Sequence, residues 1–116
     1  MELKILSDDD SVCRVAVEGK ITTRDFEDGG PNPMEELLGS QWAAKKLVVD
    51  LKDVDYMDST GIGWLVSMNR RVKENHGALI IHSIHPTVSQ MLKLLKMGTV
   101  LTLADDEQAA LALAES

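Results

Sequence analysis

The segment from Lys46 to Ile81 limits the fold more than any other part of the chain. Lys46 to Leu51, centred on Leu47-Val48-Val49, is an apolar run, the pattern of a strand covered on both faces and therefore of parallel pairing inside a sheet. Ser59 to Asn75 then places Ile62, Leu65, Val66 and Val72 on one face at helical spacing, with Asn69 as the polar exception. His76-Gly77 closes that helix, glycine being the usual residue where a chain turns out of a helix axis. Ala78 to Ile81 is a second buried strand. Parallel neighbours need a crossover, and strand–helix–strand units of this kind cross over right-handed in nearly all proteins.

The flanking sequence extends the unit in both directions. Leu3 to Leu6 is short and apolar, Ser7-Asp8-Asp9-Asp10 reads as a turn, and Val12 to Val17 alternates, so the two runs form an antiparallel pair that ends at Gly19. Glu27-Asp28-Gly29-Gly30-Pro31-Asn32-Pro33 is the one flexible-looking stretch, too short for an interdomain linker. Asn32 as cap and Pro33 as first helical residue start a helix there, which Gly39 stops early, leaving Ser40 to Ala44 as a second turn. Pro86 to Met97 is a further helix, with Val88, Met91, Leu92 and Leu95 on one stripe and Gly98 as its stop. Val100 to Leu103 is a third buried strand, and Asp105-Asp106-Glu107 supplies acidic residues to the start of a last helix through Ala114. The sum is an α/β fold in a single domain over residues 1–116, a mixed sheet of about five strands with about four helices.

Composition narrows the function classes. The formal net charge of −7 argues against a grip on nucleic-acid phosphates, and an aromatic content of 3% is too low for base-stacking platforms. No apolar stretch is long enough to span a bilayer, so no membrane insertion is expected. Met1-Glu2-Leu3-Lys4-Ile5 lacks the features of a signal peptide, and a single cysteine, Cys13, fits a reducing compartment. The expected location is cytoplasmic.

Between the central strand and its crossover helix lies Asp53-Val54-Asp55-Tyr56-Met57-Asp58-Ser59-Thr60-Gly61-Ile62-Gly63, at the strand end where α/β sheets place their ligand and regulatory sites. Asp58 and Ser59 are capping residue types, and Ser59 falls at, or within one residue of, the helix N-cap. Gly61 and Gly63 leave the first turn without side-chain bulk, so that a partner protein or a phosphate could approach open backbone N–H groups. Taken alone, these residues describe a helix cap and tight packing.

The order of the whole passage adds more. Leu47-Val48-Val49-Asp50-Leu51 followed by Val54-Asp55-Tyr56-Met57-Asp58-Ser59-Thr60-Gly61-Ile62-Gly63 resembles the STAS domain (sulphate transporter and anti-sigma factor antagonist), in particular its stand-alone bacterial members. His76-Gly77-Ala78-Leu79-Ile80-Ile81, Pro86-Thr87-Val88 through Met97-Gly98, and Asp106-Glu107-Gln108-Ala109-Ala110-Leu111 continue the likeness, which covers residues 11–22 and 46–114. The resemblance implies an anti-sigma factor antagonist. It would bind an anti-sigma factor serine kinase, release a sigma factor, be phosphorylated at Ser59 by that kinase (with Thr60 the second acceptor), and be reset by a phosphatase. Asp58, Ser59, Thr60, Gly61, Ile62 and Gly63 would then form the partner-binding segment, with Thr22 beside them. No cofactor and no catalytic residue are implied. An alternative in the same family is an unmodified subunit of a larger stress-signalling or lipid-transport assembly. Weak nucleotide hydrolysis at the same helix end is disfavoured, since no basic side chain adjoins the motif in sequence.

Two departures from the family pattern stand out: Thr22 where many relatives carry an aspartate, with Asp25 three positions on, and a first helix broken by the Gly-Pro loop and Gly39. Trp64 and Met68 lie four apart on the side of their helix away from Ile62 and Leu65, with Arg71 beside them. Exposed, they would be a partner-binding anchor, and Trp64→Ala would leave stability nearly unchanged. Covered, they would be core. His82 and His85 lack the further ligands of a metal site, and Cys13 reads as a buried packing residue. No phosphate-cradling glycine loop ending in lysine and no serine–histidine–acid arrangement is present.

Overall fold

Alternation along the strands becomes the two faces of one sheet. A computed structural model of the chain describes residues 1–9, 11–27 and 29–115; Asp10 of the first turn and Asp28 of the Gly-Pro loop lie outside the described residues. The strands are β1 (Glu2–Asp8), β2 (Cys13–Glu18), β3 (Lys46–Asp53), β4 (Ala78–His82) and β5 (Thr102–Ala104). The helices are α1 (Pro33–Leu38), α2 (Ser59–Glu74), α3 (Pro86–Leu94) and α4 (Glu107–Glu115). The sheet order is β1-β2-β3-β4-β5, with β1 antiparallel to β2 and every later pair parallel. The mixed five-stranded sheet with four helices expected from the sequence is therefore the observed fold.

Odd and even positions of each strand go to different cores, because successive side chains of a strand point to opposite faces. Cys13, Val15 and Val17 of β2, Leu47, Val49 and Leu51 of β3, and Leu79 and Ile81 of β4 pack with Met34 of α1, Leu65 of α2 and Val88 of α3. The opposite face is thinner: Val12, Val48 and Ile80 meet Ala110 and Ala114 of α4. Three crossovers of one hand along a sheet that grows in one direction put their helices on one face, which leaves α4 alone on the other. Cys13 is buried, and burial pushes its thiol up to about 11, which makes it a packing residue.

Two helix ends differ from the sequence expectation. The residue that turns the chain out of α2 is His76, in the left-handed region at φ 63°, not Gly77. Gly77 serves a different need, since a Cβ there would collide with the carbonyl oxygens of Ala43 and Lys45. Likewise α3 ends at Leu94 and the left-handed residue is Lys96 (φ 56°), while Gly98 sits in a 3-10 turn, Met97–Thr99. Leu95, placed on the buried stripe by periodicity, is consequently 52% exposed.

Candidate functional site

The carboxyl end of β3 is held by neighbours distant in sequence. Val54 and Met57 are fully buried and fasten the loop that leads into α2. Beside it runs the chain that leaves β2: Gly19 N–H donates to the Asp53 carbonyl, Ile21 N–H to Tyr56, and Asp58 N–H to Ile21, each at 3.1 Å. Ile21 and Met57 thereby form a parallel bridge beyond the ends of the named strands. The N-terminus of α2 is thus gripped by residues 19–23.

Asp58 is the N-cap of α2, and Ser59 is the first helical residue, within one residue of the cap as expected. The Asp58 Oδ1 accepts from Thr60 N–H at 3.0 Å and Gly61 N–H at 3.1 Å, and its Oδ2 accepts from Thr23 N–H at 2.9 Å and Thr23 Oγ1 at 3.1 Å. Ile62 N–H is already committed to the Asp58 carbonyl. The open N–H groups expected at this helix end are therefore taken, save that of Ser59 itself. The Thr23 N–H holds the Asp58 carboxyl below its ordinary value of 3.8; burial opposes the shift, and the Gly61 N–H, the Thr23 hydroxyl and the Thr60 N–H reinforce it. Asp58 is ionised at neutral pH.

The two candidate acceptors sit in different surroundings. Thr60 Oγ1 lies 2.9 Å from Thr23 Oγ1 and is half-buried. Ser59 is exposed, and its hydroxyl has no hydrogen bond among the described residues. Gly63 faces open space, so its lack of a side chain leaves room beside Ser59.

Other members of the expected segment point inward. Gly61 is buried, and a Cβ on it would stand 2.5 Å from Met57 Cγ and 2.9 Å from Ile21 Cγ2. Its smallness serves packing against residues 21 and 57, not a partner. Gly61→Ala, a gain in intrinsic helix propensity, is expected to cost about 1–3 kcal/mol through overpacking, read as a lowered denaturation midpoint. Ile62 is 9% exposed and belongs to the main core. Trp64 and Met68 are buried as well, which corrects the exposed-anchor expectation. Phe26 packs on the Trp64 ring at 5.9 Å between centroids, and Trp64 Nε1–H donates to Asn32 Oδ1 at 3.2 Å. Phe26 and Asn32 thus cover the side of α2 that periodicity left unassigned. Arg71 stacks on Trp42, 5.4 Å from its ring centroid, rather than on Trp64.

Thr22 lies next to the site without touching Asp58: its N–H donates to Asp25 Oδ2 at 2.8 Å. The residue that makes the contact is Thr23, which sequence reasoning missed; nothing short-range marks a partner 35 positions away. His82 and His85 stay apart in role. The His82 ring is buried, with Nδ1 2.8 Å from Ser83 Oγ, and His85 Nδ1 caps α3 by accepting from Thr87 N–H. Among the described residues, no group of three histidine, cysteine, aspartate or glutamate side chains converges, and no helix is long and apolar enough to cross a membrane.

A pH test follows from the Asp58 bonds. Its folded-state value lies below the unfolded one, so the stabilisation is fully present above the ordinary aspartate range and is lost as pH falls through the folded value. The Tm advantage of the native chain over Asp58→Asn should shrink steadily between about pH 6 and about pH 3. A gap independent of pH would remove the carboxylate from this role.

Residues 9–110 match the family model of the STAS domain. Solved structures of similar fold include an anti-sigma-factor antagonist (STAS) domain protein from Planctomyces limnophilus, 20% identical, with a TM-score of 0.77 over 98% of each chain. The anti-sigma factor antagonist SpoIIAA in its unphosphorylated form is 14% identical, with a TM-score of 0.67 over 99% of each chain. The Bacillus cell fate determinant SpoIIAA in its phosphorylated form is 16% identical, with a TM-score of 0.65 over 97% of this chain and 99% of that one. With a family match across most of its length and the mixed sheet of that fold, the chain belongs to the STAS domain family.

Proposed function

We propose that the chain is an anti-sigma factor antagonist: a single-domain cytoplasmic binding module, not an enzyme, that captures an anti-sigma factor kinase and is switched off by phosphorylation of Ser59. The observation that carries the proposal is the contrast between two adjacent hydroxyls, Ser59 exposed and without a hydrogen bond among the described residues, Thr60 half-buried against Thr23. Similarity to an antagonist solved in both phosphorylated and unphosphorylated forms supports the reading.

The local electrostatics suit such a switch. Phosphate on Ser59 adds about −1.5 to −2 charges at pH 7, next to an ionised Asp58 and near Asp55. The helix dipole offsets part of that repulsion, and the phosphate can point into solvent, so the fold survives. A partner closed over the same end cannot leave the charge solvated, and the interface fails. Released partner then silences its sigma factor, and a phosphatase resets the antagonist. Incubation with ATP and the candidate kinase, followed by phosphopeptide mapping, should place one phosphate on Ser59. Modification of Thr60 instead, or none under conditions where the kinase is active, would overturn the switch and favour an unmodified subunit of a larger assembly.

A further inference from the structure

The chain carries 19 acidic and 12 basic residues, yet the bases are not evenly neutralised. Lys4, Arg14, Lys45 and Lys52 each pair with a carboxylate. The other eight form no ion pair among the described residues; Lys20, Arg24, Lys46 and Arg71 are scattered over the surface, while Arg70, Lys73, Lys93 and Lys96 lie on α2 and on the chain before the 97–100 turn. Two of these last four share one groove, and the other two stand on the chain that leads to it. Arg70 and Lys73 line a groove of about 560 Å³ with Val66, Asn69, Thr99 and Val100, and Glu74 is the one acid on its wall. Asn69 Nδ2–H donates to the Val100 carbonyl at 2.8 Å, which fixes the 97–100 turn against α2. Lys93 and Lys96 flank Leu94 and Leu95 on the chain that enters that turn, and from His76 to Ala104 there is no acidic residue at all.

The same region exposes apolar surface. Leu94 is 77%, Leu95 52% and Val100 39% exposed. An apolar groove with the unpaired cations Arg70 and Lys73 on its wall, on a protein of net charge −7, is complementary to acidic residues flanking an apolar side chain. The concave wall formed by Val66 and Val100 suits an inserted side chain better than a flat bilayer.

We infer that the groove between α2 and the 97–100 turn is a second docking surface, for a partner protein segment that carries an aliphatic or aromatic residue between acidic ones. It lies toward the far end of α2 from Ser59, about 10–22 Å along the axis at about 1.5 Å per residue. Occupancy there does not depend on the state of Ser59, and the surface stands whether or not the proposed switch does.

The probe is a phage-displayed library of random linear peptides panned against the full chain. Enriched sequences should combine Asp or Glu with a central apolar residue. By fluorescence anisotropy, an enriched peptide should bind at least about tenfold more weakly to Arg70→Glu/Lys73→Glu and to Val100→Asp, more weakly at high salt, and equally to Ser59→Asp. The exposed positions chosen keep the fold, which thermal melts verify. No enrichment, or enriched peptides without acids, would overturn the inference. So would retained affinity in both charge and Val100 variants. Flotation with anionic phosphatidylglycerol vesicles in the absence of peptide binding would assign the patch to membranes instead, and concentration-dependent dimerisation abolished by Val100→Asp would assign it to a second copy.

Discussion

Ser59→Asp is expected to weaken binding of the cognate anti-sigma kinase at least about tenfold, or about 1.4 kcal/mol, while Ser59→Ala binds within about twofold of the native chain. The asymmetry follows from the site. The Ser59 hydroxyl has no hydrogen bond to lose among the described residues, so alanine removes nothing that holds the fold. Aspartate adds a charge one residue from an ionised Asp58, whose own bonds to Thr23, Thr60 and Gly61 prevent it from moving away. One added charge is less than a phosphate supplies, so the phosphorylated protein should bind more weakly still. Both variants should melt close to the native chain. Isothermal titration of the two variants against the kinase is the measurement, and equal affinities would end the switch proposal.

The largest stability effect belongs to Trp64. Trp64→Ala should cost about 3–5 kcal/mol, the range for emptying a buried aromatic site, and lower Tm by roughly 10–20 °C for a domain of this size. Three contributions combine: the indole is 6% exposed, it loses contact with Phe26, and Asn32 Oδ1 loses one of its two donors. That oxygen still accepts from Met34 N–H, so α1 keeps its cap and the effect reports packing. A melt within about 2 °C of native would mean that Phe26 and Asn32 stand off from α2, and would restore Trp64 as a surface residue.

The Trp64 outcome shows where sequence patterns stop being informative. Ile62, Leu65 and Val72 announce the sheet-facing side of α2 because their spacing is internal to one helix. The other side is covered by Phe26, Asn32 and Trp42, which belong to or border short 3-10 turns and a six-residue helix with no periodicity of their own. The strand–helix–strand unit from β3 to β4 was legible for the opposite reason, since each piece carries its own pattern. At the site, Asp58 and Ser59 are both capping types, and only the backbone dihedrals separate them. Thr23 was out of reach because its bond to Asp58 joins two loops, and loops carry no repeat from which pairing could be read. His76 and Lys96 in left-handed conformations are likewise invisible where a glycine stands close by and invites the assignment.

The sheet order has a bearing on how the chain is made. Because β1 through β5 are neighbours in the order in which they are synthesised, each strand that leaves the ribosome finds its partner already present at the growing edge. Interleaved α/β sheets lack this property: an early strand there must wait for one encoded much later. A nascent chain truncated after α3 should therefore already protect β1 to β3 from proteolysis, with only the last edge and the thin α4 face still open.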